Sequence, residues 1–141
     1  MNYSKRSIDN LKGVHPSLVT VMMEAIKKSP CDFTITEGVR TAERQKSLYA
    51  QGRTAKGGIV TYADGVKNKS NHQVKADGFG YAVDIYPYFD GKVQVSVKDV
   101  IPRLKQITDH IKSVAMKLGV KLDFGIDWKK PFDPPHIQIK Q

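Results

Sequence analysis

Hydrophobic residues recur at helical spacing in two stretches of the chain. One covers residues 15–29, and a longer, more regular one covers residues 98–118, where Gly119 is placed to end the helix. Between them, the segment "TAERQKSLYAQG" predicts a further helix with Gly52 as its cap. The pattern therefore predicts three helices distributed along the chain.

Short segments that alternate between apolar and polar residues predict strands between these helices. They are "FTIT" (residues 33–36), "VKLDFGIDW", "HIQIK" and "YAVDIYPYFDGKVQV", and the last predicts two strands joined by an Asp90-Gly91 turn. Residues 53–70 are rich in Gly, Lys and small polar residues and predict a long loop, a feature that often carries function. The sequence shows no repeat or linker. It therefore predicts a single α+β domain over residues 1–141.

Composition narrows the possible environments and partners. The longest apolar run falls far short of the roughly 20 residues of a membrane span, and the N-terminus lacks the apolar centre of a secretory signal, so we expect a cytoplasmic product without membrane insertion. Cys31 is the only cysteine, which excludes an intramolecular disulfide. The net charge of +9 favours a polyanionic partner: nucleic acid, acidic membrane or anionic cell wall. The lysines are scattered, so charge alone does not choose among these.

Two of the four histidines have neighbours that suggest chemistry. His15 and His110 lie in predicted helical segments and are expected to be ordinary boundary or surface residues. His72 ends the long loop just before the "YAVDIYP" strand, and His136 opens the last strand. Asp84 lies in the first of these strands among apolar neighbours, where an unpaired carboxylate is costly and needs a compensating cation.

These three side chains can converge if the two strands are neighbours in the sheet. Two imidazoles and one carboxylate make a three-ligand zinc site with an open fourth position, the arrangement of catalytic rather than structural zinc. Such a site also needs a base, and Asp133 lies three residues before His136 behind a stiff Pro-Pro spacer. The same "DPPH" segment is equally typical of a proline-rich turn before a strand, so spacing alone leaves both interpretations open.

The motifs "SNH", "GYAVD" and "DPPH" together resemble the M15 family of zinc metallopeptidases. This family includes D-alanyl-D-alanine carboxypeptidases and the L-alanyl-D-glutamate endopeptidases of phage endolysins. The resemblance covers roughly residues 33–139, and the short chain is most similar to the endolysin branch. It implies a single hedgehog- and DD-peptidase-like domain with a small antiparallel sheet packed against helices.

The resemblance also implies roles for individual residues. His72, Asp84 and His136 are expected to bind Zn²⁺, and Asp133 to act as the general base. The segment "EGVRTAERQKSLYAQGRT" resembles the family's substrate-binding segment and matches its arginine at Arg40, whose planar fork of donors suits a carbonyl or carboxylate. Ser70 is expected to help shape the substrate-binding site.

Two departures from the family pattern affect these roles. Seven residues, "QVKADGF", separate His72 from Gly80 where about three are usual, and they introduce Asp77 as a competitor to Asp84. Asp84 is preferred because it keeps the Gly-x-Ala-x-Asp context. Gln138 stands where many relatives carry an acid, which would alter the support of the metal ligands without removing one.

The expected function is hydrolysis of peptidoglycan stem peptides by a phage or prophage lysis enzyme. Such an enzyme would act as a monomer, would not bind nucleic acid, and would stay in the cytoplasm until released at lysis. Two alternatives stay open: a D-Ala-D-Ala carboxypeptidase, and a non-catalytic basic zinc domain that binds cell wall or nucleic acid.

Overall fold

Four α-helices and five short strands make up the fold in the computed structural model, which describes residues 1–141 apart from the side chains of residues 97 and 98. In chain order the elements are α1 (Lys5–Leu11), α2 (Pro16–Lys27), β1 (Phe33–Glu37), α3 (Ala42–Ala50), β2 (Ala82–Phe89), β3 (Lys92–Val93), α4 (Val97–Leu118), β4 (Leu122–Phe124) and β5 (His136–Ile139). A single turn of 3₁₀ helix covers Gly125–Asp127 after β4.

The strands form one antiparallel sheet in the order β1-β2-β5-β4, and β3 pairs with the far end of β2. Strand β2 is therefore central, with β1 on one side and β5 on the other. In the β2–β5 pair Asp84 lies directly opposite His136. The small antiparallel sheet packed with helices confirms the predicted α+β fold class.

The three predicted helices are present as α2, α3 and α4. Helix α4 ends at Gly119, whose φ of 71° lets its N–H bond the carbonyl groups of Ala115 and Met116. Gly52 follows the α3 C-cap residue Gln51 and also has a positive φ of 83°. Gly119 therefore caps α4 as predicted, whereas the α3 cap is Gln51, and the Gly52 N–H bonds the Ala55 carbonyl at 3.1 Å in the turn that follows.

Helix α1 was not predicted, because it is short and mostly polar. Its N-cap Ser4 accepts a hydrogen bond from the Ser7 N–H at 3.3 Å. Ser7 is fully buried, and its hydroxyl accepts a hydrogen bond from the Ile35 N–H of β1 at 3.0 Å. A hydrogen bond to the sheet thus holds this helix in place, and hydrophobic periodicity does not detect such a contact.

One hydrophobic core joins the helices to the sheet. The apolar stripes of α2 and α4 meet each other and pack against β1, β2 and β5. Burying each large aliphatic side chain contributes about 1.5–3 kcal/mol. The largest fully buried apolar residues are Leu18, Val21, Met22, Ile35, Val83, Ile85, Leu104, Ile107, Ile111 and Ile137.

The predicted hairpin after β2 has a shorter second strand than expected. Asp90 and Gly91 both have positive φ, 54° and 75°, as the predicted tight turn requires. Strand β3 nevertheless ends at Val93, and Gln94 instead donates its side-chain N–H to the Phe89 carbonyl at 2.8 Å.

The long loop between α3 and β2 is anchored by two buried glutamines. Gln45 of α3 donates to the Ala63 carbonyl at 2.7 Å, and Gln73 donates to the Gly65 carbonyl at 3.1 Å. Asp64 accepts three backbone N–H groups, from residues 66, 67 and 68. The part of the loop that precedes β2 is therefore held in place by hydrogen bonds from Gln45 and Gln73.

Outside this loop, His15, His110 and Cys31 make ordinary structural contacts. His15 caps α2 by accepting the Ser17 N–H at 3.1 Å, and His110 lies 2.8 Å from the Ala25 carbonyl oxygen. Cys31 is half-buried. Among the helices of the described chain, none has the length and apolar character needed to span a membrane.

Candidate metal centre

His72, Asp84 and His136 meet at the middle of the sheet. Asp84 and His136 face each other across the β2–β5 pair, and His72 enters from the end of the loop. Asp84 Oδ1 lies 3.2 Å from His72 Nε2 and 3.4 Å from His136 Nδ1. One ligand atom from each residue falls within 4.8 Å of the others, so a single ion can contact all three.

Two of these atoms are buried without a hydrogen bond. His72 Nε2 and Asp84 Oδ1 have no hydrogen-bond partner in the described part of the chain, although they lie close together. The His72 residue is only 2% exposed. Leaving buried polar atoms unpaired is unfavourable, and a cation bound between them would remove that cost. The donor set of two imidazoles and one carboxylate fits Zn²⁺.

The opposite nitrogen of each imidazole contacts a fixed acceptor. His72 Nδ1 lies 2.9 Å from the Gly38 carbonyl oxygen, and His136 Nε2 lies 2.8 Å from Gln138 Oε1. Such contacts orient a metal-binding histidine and select which nitrogen faces the metal. Gly38 lies so close to the Asn10 carbonyl that a Cβ would collide with it, so this acceptor position requires glycine.

Electrostatics keep Asp84 ionised. Burial alone would raise the pKa of Asp84, but the attraction of His72 and His136 outweighs burial and lowers it below its ordinary value of 3.8. Burial would likewise lower the pKa of His136, but its contact with Asp84 raises it. Asp84 is therefore ionised and supplies the carboxylate of the donor set.

Asp133 lies beside the three residues without joining them. Its Oδ2 is 3.8 Å from His136 Nδ1, and its side chain is about half exposed. Its backbone N–H bonds the Gly125 carbonyl at 3.1 Å, and a Cβ on Gly125 would collide with the Asp133 backbone. Partial burial, followed by the charge of Asp84, raises the pKa of Asp133. A carboxylate that binds protons more readily suits proton transfer at an active site.

Arg40 lies next to the centre and is nearly enclosed. Nε and Nη2 bond the two carboxylate oxygens of Glu37 at 2.8 and 2.7 Å, and Nη1 bonds Gln45 at 2.8 Å. Its remaining donors face Ser70 Oγ at 3.5 Å and Asp84 Oδ2 at 3.7 Å. The predicted substrate residues Arg40 and Ser70 are thus adjacent, and the guanidinium also lies beside the Asp84 carboxylate.

Asp77, the competing ligand, lies apart from these residues. It is exposed, and its carboxylate bonds the Tyr81 hydroxyl and accepts the Phe79 N–H at 3.1 Å. The seven-residue segment between His72 and Gly80 forms a turn in which the Lys75 N–H bonds the Phe79 carbonyl at 2.9 Å. The geometry therefore agrees with the choice of Asp84.

Sequence reasoning missed three residues that contact the site. Glu37 binds Arg40, and Gln45 connects Arg40 to the loop through the contacts described above. The Trp128 ring packs on the His136 imidazole, with centroids 5.3 Å apart. Glu37 precedes Arg40 by three residues in the same quoted motif, a spacing that could have indicated the pair.

Comparison with known proteins identifies a family and individual proteins that this chain resembles. The sequence model of the phage L-alanyl-D-glutamate peptidase family matches residues 1–139. The L-alanyl-D-glutamate peptidase of Escherichia phage T5 is 31% identical over 139 residues, covering 99% of this chain and 89% of the phage protein. The peptidoglycan L-alanyl-D-glutamate endopeptidase CwlK of Bacillus subtilis (strain 168) is 33% identical over 132 residues, covering 89% of this chain and 73% of CwlK.

Solved structures show the same fold. The Serratia marcescens L-Ala D-Glu endopeptidase ChiX superposes with a TM-score of 0.76 at 28% identity, over 99% of this chain and 90% of ChiX. The LD-carboxypeptidase LdcB superposes with a TM-score of 0.52 at 20% identity, over 97% of this chain and 58% of the LdcB chain. At that identity the likeness to LdcB concerns the fold alone.

Proposed function

Because the chain belongs to the phage L-alanyl-D-glutamate peptidase family, we propose that it is a zinc peptidase that hydrolyses the L-alanyl–D-glutamate bond of peptidoglycan stem peptides. The observation that carries the proposal is the buried set of His72, Asp84 and His136 with Asp133 beside it. Peptidoglycan is named as the substrate of CwlK. The net charge of +9 suits adsorption to an anionic cell wall.

His72, Asp84 and His136 would hold the zinc ion through Nε2, Oδ1 and Nδ1. A zinc ion there supplies Lewis-acid chemistry, which polarises a carbonyl group and makes water more acidic. The Gly38 carbonyl oxygen and Gln138 Oε1 hold the two imidazoles in the required orientation. Three protein ligands leave room for substrate, as a catalytic site requires.

Asp133 would act as the general base and acid. It takes the proton of the attacking water and later delivers that proton to the leaving amine. Its raised pKa favours both steps, because a base that is too weak does not accept the proton. The Pro-Pro spacer and the contact with Gly125 keep Asp133 beside the centre, 3.8 Å from His136.

Arg40 and Ser70 would position the substrate. The guanidinium donors not used by Glu37 and Gln45 make only long contacts with Ser70 and Asp84, and a substrate carboxylate or carbonyl oxygen would replace these contacts on binding. Glu37 neutralises the charge of Arg40, which makes directed hydrogen bonding its main contribution. Stem peptides carry the free carboxylates that this arrangement recognises.

The D-Ala-D-Ala carboxypeptidase and the non-catalytic binding domain are the alternatives to this function. The names of the two curated relatives favour the L-alanyl–D-glutamate bond over D-Ala-D-Ala. A domain that only binds has no need of a carboxylate with a raised pKa beside the metal ligands. The monomeric state, the absence of nucleic-acid binding and storage in the cytoplasm until lysis stay predictions.

The test replaces Asp133 by Asn and measures release of peptides from purified peptidoglycan by mass spectrometry, which also identifies the bond that is cut. Asp133→Asn should keep its zinc and lose activity by about a hundredfold or more. Asp127→Asn is the matched control, because Asp127 is a nearby aspartate paired with Lys112 at 2.6 Å. Wild-type protein that binds cell wall and releases no peptide would establish the binding domain instead.

A further inference from the structure

His136 contacts Asp84 with one ring nitrogen and a chain of carboxamides with the other. Its Nε2 lies 2.8 Å from Gln138 Oε1, and the same oxygen accepts a hydrogen bond from Asn71 Nδ2 at 2.9 Å. Asn71 Oδ1 accepts in turn from Gln141 Nε2 at 3.2 Å. Gln141 thus donates to Asn71 and Asn71 donates to Gln138, whose Oε1 also faces His136 Nε2.

The fold brings these residues together on one side of the centre. Gln138 follows His136 by two residues on β5, so the two side chains share a face of the strand. Asn71 directly precedes His72, and its carbonyl accepts the Tyr81 N–H at 2.7 Å, which fixes it at the start of β2. The chain of carboxamides thus joins the loop to β5 independently of the metal ligands.

We propose that Gln138, oriented by Asn71, is a positioning residue that holds His136 in the Nε2–H tautomer and so leaves Nδ1 free to bind the metal ion. Gln138 Oε1 can only accept, so the proton must lie on His136 Nε2. A neutral imidazole has one N–H, and the lone pair of Nδ1 then faces Asp84. This inference rests on the metal centre of the proposed function.

A carboxamide can also rotate so that its NH₂ group and its oxygen exchange positions, whereas the same rotation leaves a carboxylate unchanged. If Gln138 and Asn71 both rotated, Gln138 would donate to Nε2, and the proton would move to Nδ1 facing Asp84. That state cannot bind a metal through Nδ1. The structure holds the first state, in which Asn71 Nδ2 donates to Gln138 Oε1 and that oxygen faces His136 Nε2.

Nitrogen NMR of the metal-free protein in alkaline solution, where the imidazole is neutral, tests this directly. His136 should show the Nε2–H tautomer in the wild type. In Asn71→Asp a carboxylate oxygen faces Gln138 Oε1, so the carboxamide should turn over and the Nδ1–H tautomer should become the major one. A wild-type His136 in the Nδ1–H tautomer, or no change in Asn71→Asp, overturns the proposal.

Zinc affinity, measured by competition with a chromogenic chelator, provides a second readout. Gln138→Leu removes the acceptor and should weaken zinc binding about 10- to 100-fold, the usual effect of losing such a contact. Gln138→Glu restores an oxygen acceptor and should recover both the affinity and the tautomer. Gln94→Leu is the matched control, because Gln94 is half-buried and its side chain donates to the Phe89 carbonyl, away from the three proposed ligands. Equal zinc affinity in Gln138→Leu and Gln94→Leu overturns the proposal.

Neither readout uses peptidoglycan, so the proposed function and this inference can each be contradicted without the other. A protein that shows the predicted tautomer and zinc affinities but cuts no peptide contradicts the proposed function alone. An active zinc peptidase whose Gln138→Leu variant binds zinc normally contradicts this inference alone.

Discussion

Removing the metal should destabilise the wild-type protein but not a variant that lacks the Asp84 carboxylate. Asp84 supplies the only negative charge among the three proposed ligands, and its Oδ1 is the atom that both histidines approach. Asp84→Asn keeps nearly the same side-chain volume and removes that charge. The perturbation therefore affects metal binding with little change in packing.

The size of the effect follows from binding linkage. Zinc at a thousand times its dissociation constant stabilises the folded state by about 4 kcal/mol. The unfolding entropy of about 2.1 cal/mol/K per residue, applied to 141 residues, gives about 0.3 kcal/mol/K. A chelator should therefore lower the melting temperature of the zinc-loaded wild type by about 14 °C.

The assay is thermal melting with zinc and with excess chelator, together with zinc analysis of the same samples. Asp84→Asn should melt at nearly the same temperature in both conditions. Asp77→Asn is the matched control, since Asp77 belongs to the same segment but is exposed and bonded to Tyr81. Because each variant is compared with itself, any intrinsic effect of the substitution on stability cancels.

The reasoning is refuted if the chelator shifts the melting temperature of Asp84→Asn as much as that of the wild type. A chelator shift that survives in Asp84→Asn and disappears in Asp77→Asn would make Asp77 the ligand instead. Equal melting of the wild type in both conditions, with zinc shown to be removed, would show that the metal does not stabilise the fold.

Two further predictions concern Arg40 and Tyr3. Arg40→Lys cannot keep both hydrogen bonds to Glu37, so it should lower the free energy of unfolding, measured by urea denaturation, by about 1.5–3 kcal/mol. Arg44→Lys, at a largely exposed position, should change it by less than about 0.5 kcal/mol. Equal effects of the two substitutions would contradict the buried role of Arg40. Burial, and then the charge of Asp32, raises the pKa of Tyr3 above its ordinary value of 10.0, so only the unfolded state releases this proton just above pH 10 and stability falls there. Tyr3→Phe should make the pH dependence less steep by up to about 1.4 kcal/mol per pH unit, measured by denaturant unfolding, and parallel curves would refute it.

Hydrophobic periodicity was sufficient to predict the helices that face the core. Helices α2 and α4 bury continuous apolar stripes. Such stripes are recognisable in the sequence because each of their residues is apolar and packs in the core. Helix α1 was not predicted, because one of the contacts that join it to the sheet is the hydrogen bond of the buried Ser7 hydroxyl, which hydrophobic periodicity does not detect. The alternation in "YAVDIYP" also predicted the strand, β2, that carries Asp84.

The residues that support the site could not be predicted in the same way. Gln138 contacts Asn71, which is 67 positions away, and this pairing exists only because β5 lies beside β2. Gln45 is a typical surface residue by composition, yet it bonds Arg40 next to the candidate metal centre. A motif shows which residues can bind a metal, whereas their supporting partners depend on contacts that form after the chain has folded.

Strand register connects the hydrophobic core to the positions of the proposed metal ligands. Asp84 faces His136 because β2 and β5 pair at that position, and a shift by one residue would turn one of the two side chains towards the core. The apolar neighbours Val83, Ile85 and Ile137 are fully buried, so such a shift would also expose them. The hydrophobic core therefore sets the geometry of the candidate metal centre. A mutation that loosens this core should weaken metal binding even when it lies far from the three ligands.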